Sequence, residues 1–445
     1  MRIINSGEFD SYWKNEIKKI DDIETEKTVK EIIADVRENG DAAVKKYACK
    51  FDKSSPQELE VSLNEANRAL DEMRKNDPAL TEALELASLN IKKFSEKQKE
   101  QFADFEFEMD SGLFTGQRVI PAQKGAVYIP GGRFPLFSSV LMCMIPAFCA
   151  GVEEVILTSP PSKDGLPDKK ILAAAAIAAK TAGVSIDSAD TQNRRLRIFA
   201  IGGAQAIAAL ALGTETVPRV DVIAGPGNKY VAAAKRILFG EVGIDFIAGP
   251  TDVLIISDTP SAKTADLIAA DMLGQAEHDV DACARALVSN RELALLVAQA
   301  IEERLKTLAT SKIAQSSLEK NGLIIVYQNK EEAIRIANEI APEHLELQTS
   351  DNESWIPHFK NYGSLFIGSL SAEALGDYCA GINHTLPTSQ SARFTGGLSV
   401  RHFLKTVTTL RCAQGEGFEK ARRAAEILAR AEGLEGHALS ASARK

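Results

Sequence analysis

The chain has 445 residues, 45% of them hydrophobic, and this length allows two or three domains with cores of their own. Its formal net charge of −9 argues against nucleic acid or an anionic membrane as a partner, and it favours a small-molecule substrate. Six scattered cysteines, and an N-terminus without a signal-peptide pattern, predict a cytoplasmic protein with reduced thiols.

The first hundred or so residues predict helices without obvious chemical groups. Residues 1–22 are polar and mixed, which is typical of a short arm. Apolar residues at helical spacing follow over residues 26–35, and Gly40 ends that helix before a second one capped by Asp41. One or two long charged helices are predicted over residues 63–100.

Strands and helices alternate from residue 119 onwards. The predicted strands are 124–129, 154–158, 197–201, 220–224, 253–257, 286–289, 322–328 and 363–367. Helical sequence separates most of them, as in a parallel sheet with helices on its faces, so we predict an α/β fold.

Three glycine-rich turns each follow a strand and open a helix. They are Pro130-Gly131-Gly132, Gly202-Gly203 and Gly225-Pro226-Gly227. Free amides at a helix N-terminus suit an anion such as a pyrophosphate, although the dinucleotide fingerprint and the P-loop motif do not occur in this region. A tight turn explains any one of them, whereas three turns on one sheet edge favour a nucleotide site.

Gln275 and His278 lie three residues apart in a predicted helix and therefore share a face. Glu277, Asp279 and Asp281 lie close by, so this stretch could hold a divalent metal. A solvated helix end is the alternative, because Gln is a poor metal ligand.

Adjacent acidic and basic groups occur at Glu343 and His344, which could act as a carboxylate and a general base. Neighbours in a strand point to opposite faces, so both reach one site only from an irregular segment. The alternative is a surface Glu beside a half-buried His. A polar, loop-like segment over residues 376–388 adds Asp377, an oxygen donor, and His384, a possible ligand or base.

Several short motifs follow one another along the chain. They are Tyr128-Ile129-Pro130-Gly131-Gly132, Gly202-Gly203-Ala204-Gln205-Ala206, Gly225-Pro226-Gly227-Asn228-Lys229-Tyr230, Ala248-Gly249-Pro250, Gln275-x-x-His278, Ala341-Pro342-Glu343-His344-Leu345-Glu346, Gly376-Asp377-Tyr378, Asn383-His384-x-Leu386-Pro387-Thr388 and Glu432-Gly433-Leu434-x-x-His437. Each motif alone is weak, but the ordered set resembles the histidinol dehydrogenase family over nearly the whole chain.

The resemblance implies a zinc-dependent enzyme that uses NAD in a four-electron oxidation of L-histidinol to L-histidine through histidinaldehyde, the last step of histidine biosynthesis. It implies that Glu343 and His344 are the catalytic pair. The implied ligands of one zinc per subunit are Gln275, His278, Asp377 and His437. The implied NAD contacts are Tyr128, Gln205 and Asn228. The implied substrate contacts are Thr251, Gln275, His278, His344, Asp377, His384, Glu432 and His437.

The resemblance also implies a fold of two incomplete Rossmann-like domains with small terminal arms, in an intertwined homodimer. The expected division is an N-terminal arm (1–22), a metal-binding and catalytic domain (23–127 plus 252–397), an NAD-binding domain (128–251) and a C-terminal dimerisation arm (398–445). That last arm would reach the partner's site, so Glu432 and His437 would act in trans.

Some residues depart from the family pattern and keep a second substrate class open. Thr251-Asp252 stands where the biosynthetic enzymes usually have Ser-Glu, and the link over residues 185–197 is longer and more polar. Arg133 and the stretch 394–398 look more like paralogues such as sulfopropanediol 3-dehydrogenase. The alternatives are therefore a dehydrogenase of another polar alcohol, or a zinc protein without redox chemistry, against which the glycine turns argue. Glu432 would suit an amine and favours histidinol.

Overall fold

The computed structural model describes residues 1–16, 23–52, 58–131, 135–186 and 194–444. The strands are β1 (Arg2–Asn5), β2 (Glu60–Val61), β3 (Phe105–Asp110), β4 (Leu113–Pro121), β5 (Lys124–Tyr128), β6 (Glu154–Ser159), β7 (Arg195–Ala200), β8 (Val222–Ala224), β9 (Gly243–Ile244), β10 (Asp252–Ser257), β11 (Cys283–Val288), β12 (Leu323–Val326), β13 (His344–Gln348), β14 (Ser364–Ile367) and β15 (Leu404–Cys412). The helices are α1 (Ser6–Glu16), α2 (Ile23–Tyr47), α3 (Leu63–Asn76), α4 (Pro78–Lys99), α5 (Phe137–Ala150), α6 (Lys169–Thr181), α7 (Gly203–Leu212), α8 (Lys229–Leu238), α9 (Ala262–Ala276), α10 (Arg291–Leu305), α11 (Ser311–Asn321), α12 (Lys330–Ile340), α13 (Asn352–Trp355), α14 (Glu373–Tyr378), α15 (Glu416–Ala431) and α16 (Glu435–Ser442).

The first large sheet has the strand order β2-β7-β6-β5-β8-β9, and its strands pair in parallel except for β2 with β7. Alternate residues of β5 enter different cores: Val127 packs with α3 to α6, whereas Ala126 and Tyr128 pack with α2, α7 and α8. The chain runs from β5 outwards through β6 to β7 and then returns to β8 on the other side. A crevice therefore opens between the carboxyl ends of β5 and β8.

The second large sheet has the order β1-β12-β11-β10-β13-β14, and all its strands are parallel. Helices α9 to α11 cover one face of this sheet, and α1 and α12 cover the other. These two sheets confirm the predicted α/β class. Residues 2–5, which we expected in an arm, instead form the edge strand β1 beside β12.

The helices before β5 pack on the first sheet. Helix α2 lies against α7 and α8, α3 against α6, and α4 against α5. The predicted division placed residues 23–127 with residues 252–397, so the packing differs from it. Helical spacing identifies the face that a helix buries, but it does not identify the sheet on which that face packs. The predicted break at Gly40 is present as a kink within α2, and the predicted helical stretch 63–100 forms two helices, α3 and α4, which are separated at Asp77.

A third sheet joins distant parts of the chain in the order β15-β4-β3, with antiparallel pairing. Helices α15 and α16 follow β15 and complete a C-terminal arm. Large apolar side chains are exposed in the single chain on this arm (Leu410, Ile427, Leu428 and Leu439) and on strand β3 of the same sheet (Phe105, Phe107 and Met109). No helix within the described ranges is long and apolar enough to cross a membrane.

Candidate active site

The predicted acid–base pair lies at the amino end of β13. Helix α12 ends at Ala341, whose backbone is left-handed (φ 50°), and Glu343 occupies a bend just before His344 begins the strand. The bend brings both side chains to one buried site, where His344 Nδ1 lies 3.9 Å from Glu343 Oε2. The irregular segment that the prediction required is therefore present.

Thr251 and Asp252, at the start of β10, hold the Glu343 carboxylate in place. Its Oε2 atom accepts hydrogen bonds from the Asp252 N–H at 3.1 Å and from the Thr251 hydroxyl. In return, the Glu343 N–H donates to Asp252 Oδ1 at 3.1 Å, and Asp252 pairs with the buried Arg285. Burial raises the pKa of Glu343 to about 7, despite the nearby His344 charge and the Thr251 hydrogen bond.

The His344 ring is surrounded by carboxylates. Its Nε2 lies 3.2 Å from Asp377 Oδ1, and its Nδ1 lies 3.3 Å from the Asp252 carbonyl oxygen and 3.7 Å from Glu373 Oε1. Burial alone would lower the pKa of His344, but the charges of Glu373, Glu343 and Asp377 outweigh it and raise the pKa well above its usual value. The ring is therefore protonated unless another cation offsets these carboxylates.

Three side chains next to this pair form a candidate metal-ligand group. One ligand atom each from His278, Glu373 and Asp377 lies within 4.8 Å of the others. Burial would raise the pKa of Asp377, but the hydrogen bond and charge of His344 lower it, so this ligand is ionised. An imidazole with carboxylate oxygens fits zinc or another divalent cation.

Gln275 contributes an orphaned amide oxygen. Its Nε2 donates to the Thr251 hydroxyl at 2.8 Å, whereas its buried Oε1 has no hydrogen-bond partner among the described residues. A buried polar atom without a partner is expected to meet a ligand. Gln275 therefore fits the predicted role of a metal ligand better than that of a solvated helix end.

The acidic residues next to His278 in sequence are engaged elsewhere. Glu277 accepts a hydrogen bond from Thr310, and Asp281 forms an ion pair with Lys320. Asp279 accepts the Asp281 N–H at 3.0 Å. None of the three belongs to the ligand group among the described residues. Their proximity in sequence was therefore a misleading signal for metal binding.

Glu373 was not predicted as a site residue, because the loop was predicted to begin only at residue 376. Helix α14 begins at Glu373, and this residue belongs to the ligand group. Glu373 and Asp377 lie four residues apart and so share a helix face, which was the available signal. Burial raises the pKa of Glu373 to about 8, and its Oε2 has no partner in the part of the chain that the structure describes.

A second layer of buried polar groups, on β13 and α9, supports α14. Gln348 Nε2 donates to Glu346 at 3.0 Å and to Asp271 at 3.2 Å, and Glu346 Oε1 accepts the Glu373 N–H at 3.1 Å. Burial raises the pKa of both Asp271 and Glu346. This layer fixes the first turn of α14 and hence the direction of Glu373.

The His384 ring is held by protein atoms on both sides. Its Nδ1 lies 2.7 Å from the Asp377 carbonyl oxygen, and its Nε2 lies 2.9 Å from the Ser139 hydroxyl of α5. Burial lowers the pKa of His384, so the ring is neutral. This ring joins the helix after the first glycine turn to the segment that carries Asp377.

The remaining predicted metal and substrate residues lie on the C-terminal arm. Glu432 follows the last turn of α15, and His437 lies on α16; both are exposed in the single chain. The ligand group found among the described residues contains neither of them. Arg133 lies outside the described residues, as do residues 187–193 of the link.

The predicted NAD contacts lie around the crevice of the first sheet. The Tyr128 hydroxyl accepts the Gly203 N–H at 3.1 Å, and burial raises its pKa to about 12. Gln205 is buried, yet neither polar atom of its side chain has a partner among the described residues. Asn228 caps α8 by accepting the backbone N–H groups of Tyr230 and Val231. Orphaned amide groups at helix N-termini fit a dinucleotide.

Comparisons with known proteins point to one family. The family model described as Histidinol dehydrogenase matches residues 15–445. The chain is 45% identical to a histidinol dehydrogenase of Aquifex aeolicus (strain VF5) over 95% of this chain and 93% of that protein. It is 42% identical to a histidinol dehydrogenase of Pseudomonas syringae pv. tomato over 96% of this chain and 91% of that protein. The crystal structure of histidinol dehydrogenase from Elizabethkingia anophelis superposes with a TM-score of 0.86 at 34% identity, covering 98% of this chain and 95% of that one.

Proposed function

The chain belongs to the histidinol dehydrogenase family, whose members are NAD-dependent oxidoreductases, and from this we propose that it oxidises L-histidinol to L-histidine through histidinaldehyde. Two hydride transfers to NAD make this a four-electron oxidation, the last step of histidine biosynthesis. The observation that carries the proposal is the contact between buried His344 and Asp377, because it places an acid–base residue beside a metal-ligand group.

The proposed zinc site uses Gln275, His278, Asp377 and His437, with one zinc per subunit. The orphaned Oε1 of Gln275 and the ligand group around Asp377 support this assignment. Zinc, when bound, supplies a fixed positive charge to which the imidazole and amine nitrogens of the substrate can bind. Gln275 and Asp377 then orient the substrate by holding that charge next to His344.

His344 accepts the alcohol proton in the first oxidation. Its Nδ1–H points at the Asp252 carbonyl oxygen, which leaves Nε2 as the basic nitrogen. Asp377 shares its charge with His344 in the single chain, and when it binds a cation instead, the pKa of His344 falls towards the range of a general base. NAD, when bound, supplies the hydride acceptor. The products of this half are the aldehyde, NADH and a proton on His344.

Glu343 serves the second oxidation, in which water adds to the aldehyde before the second hydride leaves. A pKa of about 7 lets this carboxylate accept a proton from water near neutral pH. The Thr251 hydroxyl and the Asp252 N–H keep the carboxylate in one orientation while it does so. His344 gives the proton from the first oxidation to the aldehyde oxygen as the hydrate forms. It then accepts a hydroxyl proton as the second hydride leaves, and the resulting carboxylic acid ionises to the carboxylate.

NAD is proposed to bind in the crevice between β5 and β8, with Tyr128, Gln205 and Asn228 as contacts. The hydrogen bonds from Ser139 to His384 and from His384 to Asp377 support this arrangement, because they link the nucleotide side to the ligand group. The proposal regards the two sheets as the cores of two incomplete Rossmann-like domains. The substrate contacts are those that the family resemblance implied, including Thr251 and His384.

The protein is proposed to act as an intertwined homodimer in the cytoplasm, with Glu432 and His437 reaching the partner's site. Two features support a dimer: the exposed apolar side chains of the C-terminal arm, and the exposure of His437 in the single chain. An apolar surface of this kind is typical of an interface between subunits. His437 would then complete the metal site, and Glu432 would bind the substrate amine.

The site's own charge separates the two substrate classes. Glu343, Glu373 and Asp377 lie around it, so these acidic groups would disfavour a sulfonate, whereas an amine can donate hydrogen bonds to them. Purified protein with NAD should therefore reduce the cofactor with L-histidinol and not with sulfopropanediol, and a chelator should abolish the reaction. Turnover of sulfopropanediol with a higher kcat/KM, or histidinol turnover that survives complete zinc removal, would overturn the proposal.

A further inference from the structure

We propose that the buried ion pair of Lys235 and Asp245 is a positioning element that fixes the third glycine turn and thereby sets the affinity for NAD. The proposal rests on the proposed NAD site. Neither residue was singled out in the sequence, and neither contacts the ligand group or the acid–base pair.

The ion pair holds both backbone polar groups of one glycine. Lys235 Nζ donates to the Gly225 carbonyl oxygen at 3.0 Å and to the Asp245 carboxylate. Asp245 Oδ2 accepts the Gly225 N–H at 2.8 Å. The two side chains are 2% and 0% exposed, so water does not compete for these bonds. The peptide groups on either side of Gly225 therefore have one permitted orientation.

Gly225 has to be glycine, and glycine cannot fix its own conformation. Its φ of 111° is strained for other residues, and a Cβ would lie 2.3 Å from the Tyr128 carbonyl oxygen. The residue thus sits directly against the strand end that carries Tyr128, a proposed NAD contact. Three residues later Asn228, another proposed contact, begins α8, so any rotation at Gly225 moves the whole turn.

Packing alone does not explain a charged pair at this place. A buried ion pair is often no more stabilising than apolar side chains of similar volume, because both charges must be removed from water. The pair has an apolar neighbour, because Lys235 Nζ lies 6.0 Å from the centroid of the buried Phe246 ring, so apolar side chains would also suit this place. Apolar side chains have no hydrogen-bond donor or acceptor for the backbone groups of Gly225. A preorganised nucleotide-binding turn requires both.

The test compares NAD binding in three variants that break the ion pair, one conservative replacement and one control variant. The variants are Lys235→Met, Asp245→Asn and Lys235→Met with Asp245→Leu, and Lys235→Arg is the conservative replacement. Calorimetric titration of the zinc-loaded dimer with NAD should give a dissociation constant raised roughly ten- to hundredfold in the three variants, because a shift of about 1 Å in a binding group has effects of this size. At saturating NAD, kcat and the KM for L-histidinol should change little, and Lys235→Arg should recover part of the affinity.

The control is Glu154→Gln, which removes a buried carboxylate paired with Arg195 at the amino end of the same sheet, away from the crevice. It should lower the melting temperature without changing the dissociation constant for NAD.

The proposal is overturned if the double variant, which leaves no unpaired charge, folds and binds NAD like the wild type. It is also overturned if Glu154→Gln weakens NAD binding equally. Wild-type protein that fails to bind NAD would instead refute the proposed NAD site itself. If Lys235→Met does not fold, Lys235→Arg and the double variant carry the test.

Discussion

The Thr251 hydroxyl donates a hydrogen bond to the Glu343 carboxylate and accepts one from Gln275 Nε2 at 2.8 Å. One side chain thus orients both a proposed zinc ligand and the proposed base. Because the Gln275 amide nitrogen donates to Thr251, its oxygen points away from Thr251, and this oxygen has no hydrogen-bond partner among the described residues. From the sequence, Thr251 was expected to contact the substrate and was noted as a departure from the usual Ser; both residues offer the same hydroxyl.

Replacing Thr251 with Val should therefore impair both metal binding and catalysis. Hydrogen bonds to charged groups contribute about 1.5 to 3 kcal/mol, so we expect kcat/KM to fall roughly ten- to hundredfold. Thr251→Ser, which keeps the hydroxyl, should stay within a few-fold of the wild type. Steady-state kinetics and zinc content of both variants check this expectation, and a Val variant as active as the Ser variant would contradict the role of the hydroxyl.

The ligand group predicts which acidic residues matter for zinc. Asp377→Asn should lower zinc affinity about tenfold or more, because it removes a charged ligand of the group. Asp279→Asn is the matched control, since Asp279 is close to His278 in sequence but accepts a backbone N–H outside the group. Elemental analysis after dialysis against a competing chelator measures both. Equal zinc loss in the two variants would show that the group is assigned wrongly.

Glu373 should contribute to the metal site although it is not one of the family's expected ligands. Its buried Oε2 has no partner among the described residues, and its Oε1 faces His344. Glu373→Gln should weaken zinc binding and lower the pKa of His344, because one of the carboxylates that raise this pKa is lost. NMR titration of the metal-free protein follows His344 directly. An unchanged histidine titration would contradict the contact.

The buried acids predict how the stability of the metal-free protein depends on pH. Glu343, with a pKa of about 7, and Glu373, with a pKa of about 8, hold their protons in the folded chain up to higher pH than the usual value of 4.5. The folded state then binds more protons than the unfolded state between these values, so the free energy of unfolding falls as pH rises from 5 to 8. His344 changes stability in the same direction, because its pKa is raised as well.

Glu343→Gln removes one of these groups and should flatten that dependence by on the order of 2 kcal/mol across the window. Chemical denaturation at several pH values measures it, with Glu154→Gln as a control whose carboxylate lies far from the site. Because metal binding displaces the protons, zinc should stabilise the wild type more at pH 8 than at pH 5. Stability of the metal-free protein that rises over this window would refute the account of these pKa values.

Mixed dimers test whether the C-terminal arm acts in trans. His344→Ala and His437→Ala should each be inactive alone. In a mixed dimer with arms exchanged, one of the two sites keeps its own His344 and receives a normal His437, whereas the other site loses both. Random mixing should thus restore about a quarter of wild-type activity, since half of the dimers are mixed. No restoration, with mixed dimers verified by mass, would show that His437 acts within its own chain.

Much of the fold follows from local sequence pattern. The alternation of strands and helices predicts an α/β fold with parallel strands, and Gly202-Gly203 and Gly225 lie just after strand ends as expected. The side of the molecule on which residues 23–99 pack does not follow, because an apolar helix face matches many surfaces. The edge strand β1 was missed for a related reason: four residues of mixed polarity become a strand only when β12 is beside them.

The site divides in the same way. Adjacent residues such as Glu343 and His344 can be recognised in sequence, and so can a pair three apart such as Gln275 and His278. Contacts over long sequence separation cannot: Thr251 with Glu343, His384 with Ser139, and the layer of Asp271 below α14 depend on how the sheets are arranged. The family resemblance suggested which of these residues converge, but not the hydrogen bonds that orient them.

The central claim is a four-electron oxidation of L-histidinol by NAD at the site of Gln275, His278, Glu343, His344 and Asp377. The most direct measurement is the number of NADH molecules formed per molecule of limiting L-histidinol by the purified, zinc-loaded protein, with the product identified by mass. We expect two NADH molecules per molecule of L-histidinol, with L-histidine as the product. One NADH with accumulated aldehyde, or none while zinc and NAD are both bound, would contradict it.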